Sequence, residues 1–219
     1  EDADWKEDEL YAIIRKYQPE AIIVNNTGLN RHGETGNPEI DSVTFEQGRP
    51  TPMNREGMKK YLAAEMCCTI NDHWGIGKDD FNYKSPKELI ESLCHCRKVG
   101  ANFLLNIGPT AQGDVDTYQG ELMKLIGKWM NHYKNAIYNG RPCNVSGIGE
   151  NFALEDEKNL YLFFFNWAHI GNENVTIGGQ YCGSYAFGNV TVDIDHIEWM
   201  DNGERLNFVQ KNDILAVQA

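Results

Sequence analysis

The chain has 219 residues, enough for one large domain or two modest ones, and its 41% hydrophobic and 24% charged residues are typical of a globular protein. The net charge of -12 argues against nucleic acid or an anionic membrane as a partner, because both bind basic surfaces. No apolar run approaches the roughly 20 residues of a membrane-spanning helix. The composition therefore favours a neutral or cationic ligand.

Six cysteines occur, as the adjacent pair Cys67 and Cys68, the pair Cys94 and Cys96 around a histidine, and single residues at 143 and 182. Neither pair has the two-residue separation typical of zinc sites. We therefore expect buried free thiols, as in a reducing compartment, and no metal centre or other cofactor.

The first 139 residues alternate between helical and strand patterns. In chain order these patterns predict a helix over 7–17, a buried strand over 21–24, a mobile loop over 30–39 and a strand over 42–45. One or two helical turns over 58–64 and a strand over 65–70 follow. The last predicted elements of this region are a helix starting at Ser85 and Pro86, a buried strand over 102–109 and a helix over 117–136. This alternation is typical of a parallel sheet or barrel with helical crossovers.

The pattern changes at residue 139, and no clear helical period follows. Short strands are predicted over 159–167, 174–177, 190–194, 197–200, 205–209 and 214–217, with a hairpin turn at 201–204. Such strands separated by Gly, Asn and Asp are typical of an antiparallel sandwich. We therefore expect two domains, 1–139 and 140–219.

Polar side chains collect where the predicted parallel strands end. Asn25 and Asn26 follow the first strand, and residues 71–74 place an amide, a carboxylate, an imidazole and an indole directly after the strand over 65–70. Ligands of α/β proteins bind outside the carboxyl ends of strands. The indole of Trp74 and the polar groups around it suit a sugar, although a capped turn with Trp74 folded into the core fits the same residues.

One carboxylate stands alone at such a strand end. Glu46 directly follows the strand over 42–45, and Gly48 and Pro50 break the chain beyond it. A general acid is expected at this place in a barrel enzyme. A solvated loop residue or a helix cap is the alternative interpretation of Glu46.

Two longer motifs add a resemblance. Residues 69–75 read Thr-Ile-Asn-Asp-His-Trp-Gly, similar to a Thr-Ile-Asn-Asp-Ser-Trp-Gly signature, and residues 100–109 read Gly-Ala-Asn-Phe-Leu-Leu-Asn-Ile-Gly-Pro, similar to Gly-Gly-Asn-Leu-Leu-Leu-Asn-Ile-Gly-Pro. Both signatures belong to α-L-fucosidases of glycoside hydrolase family 29. The chain resembles that family over essentially its whole length.

The resemblance implies an α/β fold, the C-terminal half of an irregular (β/α)8-like barrel followed by an antiparallel β-sandwich. It implies a retaining, exo-acting enzyme that releases L-fucose from fucosylated glycans. The family's nucleophilic Asp would lie upstream of Glu1, so the expected partner is the missing N-terminal half of the barrel. We expect residues 1–219 alone to be inactive. Association of identical chains into a homo-oligomer is a further expected option for the partner.

The resemblance also suggests roles for individual residues. Glu46, five positions after Asp41, matches the acid/base position of several relatives, and Trp74 matches an aromatic residue against the sugar. His73, Asn26 and Arg31 complete the predicted substrate-binding set. Thr27 occupies a position where an arginine is common in the family, and Arg31 is expected to contact the sugar in its place.

Two rival interpretations remain. In the first, the sandwich binds glycan and the barrel remnant is a scaffold, with candidate aromatic platforms at Trp167, Tyr181, Tyr185 and Trp199. In the second, the chain is a structural or interaction fragment without a ligand.

Overall fold

The computed structural model of the chain describes residues 4–26, 31–165 and 183–218. The chain divides into two compact units, Glu1–Gly127 and Lys128–Ala219. The predicted domain boundary between residues 139 and 140 stays a prediction. Within the described ranges, no helix combines the length and apolar character needed to span a membrane.

The first unit is built on a parallel four-stranded sheet. Its elements are α1 (Glu7–Tyr17), β1 (Val24–Asn25), β2 (Ser42–Glu46), β3 (Ala63–Thr69), α2 (Pro86–Val99) and β4 (Asn102–Asn106), and α3 (Thr117–His132) begins within it. The strand order is β1-β2-β3-β4. The register places Glu46 beside Cys67, and Thr69 beside Asn106. All four carboxyl ends therefore meet at one edge of the sheet.

Helix α2 shows how local sequence chemistry determines an element. The Ser85 hydroxyl accepts a hydrogen bond from the Glu88 amide at 3.1 Å, and Pro86 occupies the first helical turn. Such a cap stabilises a helix by about 1 kcal/mol. Gly100 ends the helix at φ 72°, a left-handed conformation that favours glycine. The predicted start of this helix is confirmed.

An ionic cluster around Asp41 joins the elements at the amino ends of the strands. Its carboxylate accepts from Arg15 of α1 at 2.6 Å, from Lys60 at 2.7 Å and from the Ile23 amide at 2.8 Å. Burial acts to raise the pKa of Asp41, but the hydrogen bonds from Lys60, Ile23 and Arg15 together hold it well below its usual range.

The prediction that the first and last strands of this sheet are buried is wrong. Val24 of β1 and Leu104 of β4 are exposed, and so are Leu10 and Ile13 on the apolar face of α1. The physical reason is that β1 and β4 form the two edges of the described sheet, so their apolar side chains have neighbours on one side only. The helix over Glu7–Tyr17 itself is confirmed.

The helical turns predicted over 58–64 are also absent. The Leu62 carbonyl accepts from Arg55 Nε at 2.8 Å, and the Ala63 amide donates to the Asp41 carbonyl at 2.9 Å. These partners lie 7 and 22 residues earlier in the chain, beyond the reach of helical hydrogen bonds, and β3 already begins at Ala63. Tertiary hydrogen bonds therefore replace the local ones that a helix would need.

The long helix is shorter than predicted. α3 ends at His132, and a π-helical turn, Asn135–Asn139, follows it. Leu122 and Ile126 are buried, whereas Leu125 is exposed. Only part of the apolar residues of α3 is therefore buried.

The second unit holds a curled antiparallel sheet. Its strands are β5 (Arg141–Gly147), β6 (Phe152–Glu155), β7 (Leu160–Phe163), β8 (Ser184–Gly188), β9 (Ile197–Glu198), β10 (Arg205–Lys211) and β11 (Ile214–Gln218), in the order β7-β6-β5-β8-β11-β10-β9. Leu160 and Leu162 of the edge strand β7 pack against a buried cluster that includes Phe187 and Leu215. This curled sheet with its buried cluster, together with the parallel sheet of the first unit, is consistent with the predicted fold class of a partial barrel and a β-sandwich, and the shared fold of the solved structures described below confirms that class.

The strand predictions for this unit are partly right. β7, β9, β10 and β11 and the turn around Gly203 at φ 73° are confirmed, whereas β5, β6 and β8 were missed. Residues 190–194 form no strand, because the Gln210 side chain donates to the carbonyls of Val190 and Val192 and accepts from the Ile194 amide. The strand predicted over 174–177 lies outside the described residues.

Candidate functional site

The carboxyl edge of the parallel sheet gathers most of the predicted site residues. Asn26 follows β1, Glu46 is the last residue of β2, and the loop 70–76 follows β3. Asn106 ends β4. Because neighbouring strands are about 4.8 Å apart, the ends of β2 and β4 are separated by about 10 Å, a span that one sugar ring and its substituents can fill.

Glu46 and Asn26 form a direct contact across two strands. The Asn26 amide Nδ2 donates to Glu46 Oε2 at 2.8 Å, and the Glu46 side chain is half-buried. The next residue, Gln47, has a left-handed φ of 56° and donates from Nε2 to Thr69 Oγ1 at 3.0 Å. The end of β2 is therefore tied to both neighbouring strands, which orients the Glu46 carboxylate at the edge.

The loop before β2 lies over the same strand end. Gly33, at φ 74°, packs on the Phe45 ring, and a Cβ added to Gly48 would lie 2.7 Å from His32 Nδ1. Arg31 belongs to this loop, and its Nε donates to Glu34 Oε2 at 2.8 Å. Exposed ion pairs of this kind contribute little energy. Binding of a ligand by Arg31 would have to compete with Glu34.

The loop after β3 is organised by Asp80, whose side chain is 2% exposed. Asp80 Oδ2 accepts from Asn71 Nδ2 at 2.9 Å, from the Asp72 amide at 3.0 Å and from the His73 amide at 3.1 Å, and it lies 2.6 Å from His73 Nδ1. Oδ1 accepts from the Asn82 amide at 3.1 Å. The His73 hydrogen bond is the main cause that holds the pKa of Asp80 below its ordinary value.

Trp74 is presented by this loop. The residue is 43% exposed, so the alternative in which the indole is folded into the core is not what the structure shows. The Trp74 carbonyl accepts from Asn106 Nδ2 at 2.7 Å. A Cβ added to Gly108 would lie 2.5 Å from the carbonyl carbon of Gly75, so the two backbones touch directly. The loop with Trp74 is therefore attached to the end of β4.

Sequence reasoning missed Asp80. It lies in an acidic segment that also contains Asp79, and nothing in the local pattern distinguishes the two. Its seven-residue separation from His73 does not indicate a contact, because the two residues meet only when the loop folds back on itself. The only available signal was the need of the polar cluster 71–74 for a shared hydrogen-bond acceptor.

The aromatic platforms suggested for the second unit have structural contacts. The rings of Tyr185 and Trp199 pack edge-on against Phe164, with centroid distances of 4.9 Å and 5.7 Å. A cavity of about 1020 Å³ in this unit includes Trp199 in its wall. Trp167 and Tyr181 lie outside the described residues. Core packing therefore accounts for the contacts of Tyr185 and Trp199 with Phe164.

Four of the predicted site residues belong to one sheet edge. Asn26 and Glu46 touch, and Trp74 and His73 lie in the loop that follows the adjacent strand. Arg31 belongs to the loop over the end of β2. The arrangement joins a carboxyl group, amide and imidazole hydrogen-bonding groups and an exposed indole, a set of groups that suits a polyhydroxylated ligand with an apolar face.

Comparisons with known proteins bear on the family of the chain. The family model described as alpha-L-fucosidase matches residues 1–135. The chain is 32% identical to plasma alpha-L-fucosidase of Pongo abelii over 195 residues, which cover 74% of this chain and 42% of that protein. It is 33% identical to tissue alpha-L-fucosidase of Mus musculus over 117 residues, covering 51% and 26% of the two proteins.

A solved structure shows the same fold. Alpha-L-fucosidase isoenzyme 1 from Paenibacillus thiaminolyticus superposes with a TM-score of 0.71 at 27% identity, over 98% of this chain and 50% of that chain. The chain thus spans half or less of the length of these relatives. On the strength of the family match and of the shared fold, the chain belongs to the alpha-L-fucosidase family.

Proposed function

We propose that the chain supplies part of the active site of a retaining, exo-acting alpha-L-fucosidase that acts on fucosylated glycans. The observation that carries the proposal is the Glu46 carboxylate, held at 2.8 Å by Asn26 on the sheet edge that also presents the Trp74 loop. Family membership supports the reaction class. The carboxyl group and the indole support the assignment of the site to this edge.

The proposed mechanism uses two carboxyl groups about 5 Å apart on opposite sides of the glycosidic bond. Glu46 protonates the leaving oxygen while a second carboxylate attacks the anomeric carbon, and Glu46 then removes a proton from the water that hydrolyses the fucosyl-enzyme. The attacking carboxylate is proposed to come from polypeptide outside residues 1–219. Asn26 orients Glu46 during both steps.

The other residues of the edge are proposed to bind the glycan. The exposed face of Trp74 suits the apolar C–H side of a sugar ring, and His73 and Arg31 supply polar contacts for hydroxyl groups. Because Arg31 is paired with Glu34, its contact requires that this pair opens. These roles place the glycan across the ends of β2, β3 and β4.

The partner that completes the barrel is also a proposal. Support comes from the exposed apolar residues of the first unit, among them Ile22 and Val24 beside β1, Leu104 on β4, and Leu10 and Ile13 on α1. Monomeric proteins rarely expose such groups on both edges of a sheet. We propose that the remaining half of the barrel covers them and that residues 1–219 alone are inactive. Fucoside turnover by the isolated chain would contradict this.

The assignment of Glu46 is tested by Glu46→Gln in the full-length gene product. Loss of the general acid should lower kcat/KM for a fucosyl disaccharide by about 10²- to 10⁴-fold, and less for an aryl fucoside whose leaving group needs little protonation. Glu65→Gln is the matched control, since Glu65 Oε2 also accepts from an asparagine amide, Asn102 Nδ2 at 2.6 Å, but lies toward the amino end of β3.

We expect the Glu65 variant to keep disaccharide hydrolysis within about two-fold of the unmodified enzyme, because a surface substitution away from the site has little effect. If Glu46→Gln hydrolyses the disaccharide as fast as Glu65→Gln does, Glu46 is not the acid/base. Binding of the disaccharide without any hydrolysis by the unmodified protein would favour a binding module instead.

A further inference from the structure

The His73 imidazole is held in a defined orientation although its side chain is 64% exposed. Nδ1 lies 2.6 Å from Asp80 Oδ2, and the same oxygen accepts from the His73 amide at 3.1 Å. Gly77 lies close to the imidazole ring, because a Cβ added there would lie 3.0 Å from His73 Nδ1. A buried carboxylate and a glycine thus position an exposed ring at the carboxyl edge of the sheet.

The chemistry of the pair decides which ring nitrogen faces outward as an acceptor. An ionised carboxylate only accepts hydrogen bonds, so the hydrogen between Asp80 and His73 belongs to Nδ1. In the neutral imidazole, Nε2 then carries a lone pair and no hydrogen. The three backbone amides that also donate to Asp80 keep this carboxylate ionised and in place.

We propose that Asp80 is a positioning residue that makes His73 Nε2 a hydrogen-bond acceptor for a hydroxyl group of the sugar that leaves during hydrolysis. This inference rests on the proposed function. His73 lies four positions beyond the end of β3, whereas Glu46 is itself the last residue of β2. The outer position suits the leaving sugar rather than the fucose, which an exo-acting enzyme encloses.

The tautomer is tested directly, without any measurement of activity. A ¹⁵N–¹H multiple-bond NMR spectrum of the full-length gene product at pH 8 should show His73 with its hydrogen on Nδ1. His132 is the internal control, because its Nε2 lies 3.0 Å from the Met200 carbonyl, an acceptor, and must carry the hydrogen. The His73→Asn variant assigns the signal by its loss. A hydrogen on Nε2 of His73 overturns the inference.

The contact with the leaving sugar is tested by kinetics. His73→Asn keeps an N–H group near the Nδ1 position and removes the Nε2 acceptor. Loss of one neutral hydrogen bond should lower kcat/KM by about ten-fold for a fucosyl disaccharide, mainly through KM. The loss should be at least about five-fold smaller for an aryl fucoside, whose leaving group has no hydroxyl. Equal losses on the two substrates overturn the proposed contact.

The positioning role of Asp80 is tested by a double-mutant cycle on the same two substrates. Asp80→Asn should reduce the preference for the disaccharide over the aryl fucoside, and that preference should be no lower in Asp80→Asn combined with His73→Asn than in His73→Asn alone. Additive losses of this preference would mean that Asp80 does not act through His73. If the unmodified protein hydrolyses neither substrate, the proposed function fails, and the NMR measurement still decides the orientation of His73.

Discussion

Gly108 offers the sharpest test of how the site is held together. An alanine Cβ at this position would lie 2.5 Å from the Gly75 carbonyl carbon, 2.7 Å from the Ile76 nitrogen and 2.9 Å from the Gly75 oxygen. Ordinary contacts between carbon atoms are about 3.5–4.0 Å. All three atoms are backbone, so they cannot rotate away. The loop with Trp74 must therefore move by about 1 Å in the Gly108→Ala variant.

The expected loss of stability in Gly108→Ala has two contributions. Overpacking of this kind typically costs about 1–3 kcal/mol. The displacement also lengthens the 2.7 Å hydrogen bond from Asn106 Nδ2 to the Trp74 carbonyl, and its loss costs about 1 kcal/mol. We therefore expect Gly108→Ala to reduce the free energy of unfolding by about 2–4 kcal/mol.

Two other glycines are matched controls, because an added Cβ would meet nothing within 4 Å at Gly75 or at Gly127. Gly75→Ala should change the free energy of unfolding by less than about 0.5 kcal/mol. Gly127 lies inside α3, where alanine is the better helix former, so Gly127→Ala should stabilise by about 0.5–1 kcal/mol. Equilibrium urea unfolding followed by circular dichroism measures all three changes.

The result that refutes this reasoning is a Gly108→Ala variant as stable as Gly75→Ala. It would mean that the close approach between the end of β4 and the loop 70–76 does not exist in solution. Since Trp74 lies in this loop, the fluorescence of Gly108→Ala should also differ from that of Gly75→Ala in folded protein.

Two further predictions follow from titratable groups. Burial raises the pKa of the Cys68 thiol to about 11 and those of Cys94 and Cys96 to about 12. At pH 8 none of the three thiols should therefore react with a disulfide reagent until the protein unfolds. Rapid reaction of the native protein would contradict this. The pKa of Asp41 is lowered on folding, so its stabilisation is complete above the unfolded value of about 3.9 and is lost as the pH falls. Asp41→Asn should therefore be less stable than the unmodified protein at pH 7, with a difference that shrinks below pH 4; a difference independent of pH would count against the ionic cluster.

The placement of the candidate site residues was predictable in part because strand ends follow from chain order. Once residues 42–45 and 65–70 are recognised as parallel strands, Glu46 and the loop with His73 and Trp74 must lie at one edge of the sheet. The contact between Asn26 and Glu46 is consistent with that argument. The acceptor that fixes His73 was not predictable, because Asp80 returns to the loop only through hydrogen bonds that form in the folded chain.

By itself the sequence determined the features that depend on neighbouring residues. The cap at Ser85, the end of α2 at Gly100, the turn at Gly203 and the sheet edge of Glu46 all result from local backbone and side-chain chemistry. Only the tertiary structure decided the features whose hydrogen bonds and burial come from distant segments. The Leu62 carbonyl bonds to Arg55 and the Ala63 amide to Asp41, so no helix forms there, and residues 190–194 bond to Gln210 instead of pairing as a strand. The exposure of β1 and β4 was decided in the same way, because the burial of a strand depends on which strands lie beside it and not on its own residues.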